Sequence, residues 1–179
     1  ASFKGPLPDD VVFTDDGRTT NHLEMHNVYG HLMAKATYEA LKRLDGRRPF
    51  VITRACFAGT QKYSTAWTGD NVSMWAHLQM VIPQLCNLGL SGMPFVGTDI
   101  GGFGHDTTPE LLTRWGQVGC FSPLFRNHSS LGTRPQEPWR FGEEVLSIYR
   151  KYVKLRYRLI PYLYDLFYEE ERNGAPIMR

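Results

Sequence analysis

Apolar residues recur at helical spacing from about Asn21 to Leu44, with Leu23, Val28, Leu32, Ala36 and Ala40 on one face, and Asp45-Gly46 stops the run. The period then changes. Phe50-Val51-Ile52-Thr53 is a short apolar run bounded by Pro49 and a polar loop, which predicts a buried strand ending at Arg54. A second strand is expected around Ser64 to Trp67. Asp70-Asn71 precedes a helix from about Ser73 to Leu88, with Met80, Val81, Leu85 and Leu88 facing inward. Pro94 to Gly97 reads as a third strand. Thr107-Thr108-Pro109-Glu110 starts a helix, with Pro near the first helical position, that runs to about Gly119. Phe121 to Phe125 reads as a fourth strand. A long helix from about Phe141 to Glu171 follows, and Pro161 is expected to kink it.

The ends read differently. Ala1 to Asp10 has the pattern of a loop. Asn173-Gly174 reads as a helix stop, followed by the start of a strand at Ala175 to Arg179. A chain ending on an incipient strand is expected to be cut from a larger protein, though simple trimming of disordered termini fits the same pattern.

Strands separated by helices favour a parallel sheet in an α/β fold. Each expected strand also ends in a polar cluster: Arg54, then Trp67-Thr68-Gly69-Asp70, then Asp99-Ile100-Gly101-Gly102-Phe103, then Arg126-Asn127-His128. In an α/β barrel such carboxyl ends converge on one face, where active sites form.

Composition narrows the function classes. The 179 residues amount to one domain or part of a larger one, and 42% hydrophobic against 21% charged is enough apolar content to bury a core. A net charge of +2 is too small to argue for a nucleic-acid or membrane partner. No apolar run approaches a membrane span. Cys56, Cys86 and Cys120 are odd in number and widely spaced, which excludes a disulfide framework and shows no zinc-type pair. Unpaired thiols and the lack of a secretory pattern make a cytoplasmic location the expectation.

Among the strand-end residues, Asp70 carries the sharpest chemistry. A carboxyl group packed against Trp67 would lose hydration, and its raised pKa would suit it to donate a proton near neutrality. An Asp before a helical run serves equally well as an N-cap. Asp99 can hold a sugar hydroxyl, pair with Arg54, or merely close a turn. Arg54 is a ligand clamp or a carboxylate's partner. Trp67 and Phe103 can wall a sugar ring or belong to the core, and His128 alone is an ordinary hydrogen-bonded histidine. Gly97 to Gly102 is not GxGxxG and offers no phosphate cradle. His22 and His26 share a helical face, but Glu24 is one place late for the zincin pattern. Asn71-Val72-Ser73 and Asn127-His128-Ser129 match the glycosylation acceptor, yet a glycan there would block the site. Tyr149 to Arg158 mixes bases with aromatics, as an amphipathic helix does.

These motifs, in this order, resemble glycoside hydrolase family 31, in the form of the bacterial α-glucosidases. They are Arg54, Trp67-Thr68-Gly69-Asp70-Asn71, Gly97-Thr98-Asp99-Ile100-Gly101-Gly102-Phe103 and Phe125-Arg126-Asn127-His128, with His26-Asn27-Val28-Tyr29-Gly30 and Ala36-Thr37-Tyr38-Glu39 before them. The resemblance covers nearly the whole chain. It implies a (β/α)8 TIM barrel with added β domains and retaining hydrolysis by two aspartates. Carried over, Asp70 matches the acid/base, and Arg54, Trp67, Asp99, Phe103 and His128 match the subsite for the terminal sugar. It implies no cofactor and no metal; the partners are an α-glucoside or oligosaccharide and the remainder of the barrel, with neither nucleic acid nor membrane. The oligomeric state is open.

Ala1-Ser2-Phe3 resembles the residues just after the family's Asp-Met-Asn-Glu-Pro stretch, which carries the nucleophile. Residues 1–179 are therefore expected to be the C-terminal part of the catalytic barrel, strands five to eight with their helices. The expected parent is an exo-acting retaining α-glucosidase; the segment alone is expected to be inactive, because retention needs two carboxyl groups about 5–5.5 Å apart. Half a barrel is also expected to leave strand edges unpaired. The Trp-Thr-Gly-Asp-Asn form favours an α-glucosidase over an α-xylosidase of the family. A non-catalytic sugar-binding relative with the pocket but no nucleophile is the competing reading from another class, and a self-contained small α/β domain is a third.

Overall fold

The computed structural model describes residues 6–179, so the Ala1-Ser2-Phe3 resemblance and the first half of the expected N-terminal loop lie outside the described residues. The chain divides into two compact units, residues 1–64 and 65–179.

The first unit opens with an antiparallel hairpin that the hydrophobic pattern did not announce. Strand β1 (Val12–Asp15) pairs with β2 (Arg18–Asn21), Val12 facing Asn21 and Asp15 facing Arg18. Its two-residue turn has positive φ at both positions, Asp16 at 47° and Gly17 at 82°, the type I′ geometry that Asp-Gly favours because its twist matches the strands. Helix α1 (His22–Asp45) follows at once: the Asn21 side chain accepts from the Glu24 N–H, and Gly46, left-handed, caps the other end. Its buried positions are His22, Gly30 and Ala34, whereas Leu23 and Leu32 are exposed. The helix therefore turns a different face inward from the one expected. The reason is steric: a Cβ at Gly30 would lie 2.4 Å from the Ala55 Cβ, so only small residues allow that approach. Strand β3 (Ile52–Thr53) and a 3₁₀ turn (Thr60–Lys62) complete the unit, tied to α1 by a 2.9 Å hydrogen bond between His31 and Thr60.

The second unit is the α/β part. Strand β4 (Thr65–Trp67) runs parallel to β5 (Val96–Gly97), and β6 (Asp99–Ile100) runs parallel to β7 (Arg126–Asn127). Residues 96–100 thus form one extended stretch, broken at Thr98, that pairs β4 with its first half and β7 with its second. Helix α2 (Trp75–Leu90) connects β4 to β5, α3 (Pro109–Gly119) connects β6 to β7, and α4 (Glu143–Asn173) follows a 3₁₀ turn (Pro138–Phe141). Helix α4 continues through Pro161 as one element and ends at left-handed Gly174; Ala175 to Arg179 forms no strand, though Ile177 is buried.

The core gathers Val81 and Leu85 of α2, Val96, Ile100, Leu111, Leu112 and Trp115, with Tyr149 of α4 at its edge. Met80, expected inside, is exposed. Burial pushes the Tyr149 phenol up to about 12, against a hydrogen bond with Asn127 that lowers it. Trp115, fully buried, donates its indole N–H to the Thr98 hydroxyl at 2.9 Å, which fixes α3 against the break between β5 and β6.

Phe121 to Phe125 is not a strand. The Ser122 hydroxyl lies 2.8 Å from the Gly119 carbonyl and 2.9 Å from the Leu124 carbonyl, sharing its one hydrogen across a turn, and Pro123 has no N–H for a ladder. Arg156 of α4 donates to the carbonyls of Cys120, Ser122 and Pro123, satisfying the turn that follows α3. The ladder to β6 begins only at Arg126.

Candidate active site

Three loops at the carboxyl ends of β4, β6 and β7 are stitched together by backbone bonds. The Phe103 and Gly104 N–H groups both donate to the Asn71 carbonyl, at 2.7 and 3.1 Å, and the Ser73 N–H donates to the Gly104 carbonyl at 2.8 Å. The Ser130 N–H donates to the Phe103 carbonyl at 2.9 Å. Gly102 makes the first contact possible. Its φ is +89°, and a Cβ there would lie 2.5 Å from the Ser73 backbone nitrogen. Asn71 is buried, with its side-chain oxygen accepting from the Thr68 hydroxyl, so it forms a turn and is not displayed for glycosylation.

Asp70 projects from the loop after β4 and is exposed. It is not a helix N-cap: α2 begins at Trp75 with Met74 in the cap position. Nor is it packed away from water, as the sequence suggested.

Asp99 is the opposite case. It is fully buried at the start of β6 and pairs through one carboxylate oxygen with the Arg126 guanidinium. The register dictates this pairing, because Asp99 and Arg126 are direct partners across the parallel β6–β7 ladder. Arg126 lies 5.0 Å over the Trp67 ring, a cation–π contact with the last residue of β4. Carboxylate, guanidinium and indole are thereby stacked across three neighbouring strands.

Burial raises the Asp99 carboxyl above its ordinary value. The Arg126 hydrogen bond, the Arg126 charge and the His128 charge oppose the rise, and the Asp70 charge adds to it. Asp70 and His128 are thus within electrostatic range of Asp99. The Phe103 and His128 rings sit 5.4 Å apart, so these two expected residues meet on adjacent loops.

Three polar atoms of this stack are left over. Asp99 Oδ2, Arg126 Nε and Trp67 Nε1 are all buried without a hydrogen-bond partner. Buried polar groups in native proteins are ordinarily satisfied, so this stack offers two donors and an acceptor that water or a polar ligand can satisfy.

Within the second unit the structure therefore brings Trp67, Asp70, Asp99, Phe103 and His128 to the strand ends. Arg54 follows β3 in the first unit and is exposed. Arg126 had no assigned role from sequence. The available signal was a cation opening the Arg-Asn-His cluster, and only the strand register turns it into the partner of Asp99. His22 and His26 face each other at 3.1 Å as a hydrogen-bonded pair, and no group of three or more metal-ligating side chains exists among the described residues.

The sequence model of the glycosyl hydrolases family 31 TIM-barrel domain matches residues 1–166. The chain is 55% identical over 170 residues to alpha-glucosidase 2 of Bacillus thermoamyloliquefaciens, covering 94% of this chain and 22% of that protein. Among solved structures, a family 31 alpha-glucosidase from Bacteroides thetaiotaomicron superposes with a TM-score of 0.82 at 43% identity, over 93% of this chain and 29% of that one. A family 31 dextranase from Flavobacterium johnsoniae, complexed with glucose, gives a TM-score of 0.84 at 38% identity, over 89% of this chain and 21% of that one. The chain spans about a fifth of the length of the curated relatives it matches.

Proposed function

The chain belongs to glycosyl hydrolase family 31, within the TIM-barrel domain, and from that premise we propose that it supplies strands five to eight and their helices to the catalytic barrel of a retaining, exo-acting α-glucosidase. One observation carries the proposal: a fully buried carboxylate whose second oxygen has no partner, stacked with Arg126 and Trp67 beside the loop that bears Asp70. A glucose hydroxyl donating to Asp99 Oδ2 removes the orphan and recovers the hydrogen bond that burial withheld. Trp67 and Phe103 offer apolar faces to the ring, and His128 contributes a polar contact to the same terminal sugar. The α-glucosidase and dextranase relatives support glucose as that sugar.

Asp70 is the acid/base. It protonates the glycosidic oxygen as the bond to the anomeric carbon breaks, then takes a proton from the water that releases the covalent glycosyl-enzyme. Its exposed position suits this exchange with a leaving group and with water. Retention needs a second carboxylate about 5–5.5 Å away as nucleophile. In this reading the remainder of the barrel supplies it, from a longer protein of the relatives' size.

The test is Asp70→Ala in the full-length enzyme. Turnover of a disaccharide with a poor leaving group should fall by roughly 10²–10⁴, while an activated aryl α-glucoside, which needs no proton, should lose far less. Added azide should restore turnover of the aryl substrate and give the α-configured glycosyl azide. Equal loss on both substrates, without azide rescue, contradicts the assignment.

A further inference from the structure

Gln136 lies eight residues beyond His128 and far from any strand, yet it is 4% exposed. Its side-chain nitrogen faces three acceptors: the Ile100 carbonyl at 3.2 Å, the Asn127 side-chain oxygen at 3.3 Å and the His128 carbonyl at 3.4 Å. Asn127 answers by donating its amide to the Gln136 carbonyl at 2.9 Å. The orientation of the Gln136 amide follows from this set. Three oxygens surround one end, so that end must be the NH2 group; the flipped amide would set oxygen against oxygen.

The last pair of the β6–β7 ladder is Ile100 with Asn127. Beyond it the backbones part, toward Gly101 on one side and His128 on the other. The Gln136 amide bridges that gap and acts as an extra rung. The segment that carries it is anchored on both sides. The Ser130 N–H donates to Phe103, and the Arg134 N–H donates to the Asp106 carboxylate at 2.6 Å while the Arg134 guanidinium donates to the Thr107 carbonyl at 3.3 Å.

We propose that Gln136 is a positioning residue. Its amide holds the carboxyl ends of β6 and β7 together, and so fixes His128, and the Asp99–Arg126 pair one rung below, at the spacing a sugar needs. The proposal rests on the reading that Asp99 and His128 bind the terminal glucose. Gln136 Oε1 is buried without a hydrogen-bond partner, and in this proposal the residue acts through the two strand ends that its Nε2 bridges.

Replacing the amide by carboxyl makes the device pH-sensitive. In Gln136→Glu the ionised side chain has no hydrogen to offer three acceptors and repels them. Protonated, it donates one hydrogen and restores part of the rung. Burial among oxygens favours the protonated form, so recovery should begin at mildly acidic pH. Gln136→Met keeps the volume and cannot recover at any pH.

The experiment compares kcat and KM for an aryl α-glucoside, and inhibition by free glucose, in wild type and both variants of the full-length enzyme between pH 7.5 and 5, each assayed well below its own melting temperature. Expected at pH 7.5 is a rise in KM and in the glucose inhibition constant of about tenfold or more in both variants, with a smaller fall in kcat. Normalised to wild type, Gln136→Glu should recover several-fold by pH 5 and Gln136→Met should not. Should Gln136→Met fail to fold, Gln136→Glu prepared at pH 5, where it is neutral and nearly isosteric, still gives the pH response. Variants matching an active wild type, or a Glu variant with no pH-dependent recovery, overturn the role of Gln136 alone. A wild type inert toward every α-glucoside overturns the proposed function and the inference with it.

Discussion

At Asp99, burial and pairing pull in opposite directions. Burial wins, and the folded state holds the Asp99 proton more tightly than the unfolded chain does. Stability should therefore fall as pH rises from the ordinary carboxyl value of 3.8 through the raised folded value, where the native carboxyl ionises later than the unfolded one. Asp99→Asn should flatten that part of a plot of Tm against pH, and an unchanged slope would contradict the assignment. Arg126→Met should cost about 3 kcal/mol at neutral pH, because it strands a buried carboxylate, and the loss should shrink on acidification as Asp99 takes up its proton. Chemical denaturation at pH 7 and pH 4 measures both. At this scale the sequence was partly legible. A carboxylate after a strand is a visible candidate, but its partner is set by register, and no local spacing joins Asp99 to Arg126 across 27 residues.

Elements decide whether those residues meet. The stitch between residues 71–73 and 102–104 depends on Gly102, which combines a left-handed φ with contact at backbone distance. Gly102→Ala should cost at least about 1–3 kcal/mol from backbone strain, and more from the clash with Ser73. Activity should fall further than stability at temperatures where the fold persists, because the Asp70 loop loses its anchor. Thermal melts paired with kcat/KM test this, and a variant with native activity would refute the stitch. The helices were readable because a 3.6-residue period survives over many turns. The strands were harder: β5, β6 and β7 have two residues each, too short for any period. Pattern placed one strand at Phe121 to Phe125, where Ser122 and Pro123 build a turn instead. Asp16-Gly17 was a legible hairpin signal hidden beside a stretch that read as loop, and the inward face of α1 was obscured because Gly30 and Ala34 bury by being small.

On the scale of the whole molecule, the proposed function treats these residues as part of a larger barrel, and the exposed surface bears on that proposal. Tyr157, Tyr162, Tyr164 and Tyr168 of α4 are exposed by more than half, as are Trp75 of α2 and Leu44 of α1. Exposed aromatic and apolar surface of this kind is what interaction faces present. If, as proposed, another part of a longer protein supplies the nucleophile, the 179-residue chain purified alone should hydrolyse no aryl α-glucoside. Turnover that disappears in Asp70→Asn would contradict this. The most direct test of the account is a crystal structure of the full-length protein soaked with glucose. The sugar should lie at the ends of β4, β6 and β7, with a hydroxyl within about 3 Å of Asp99 Oδ2, a second polar contact from His128, and the Asp70 carboxyl beside the anomeric oxygen. Glucose bound elsewhere, with Asp99 Oδ2 still unpartnered, would contradict it.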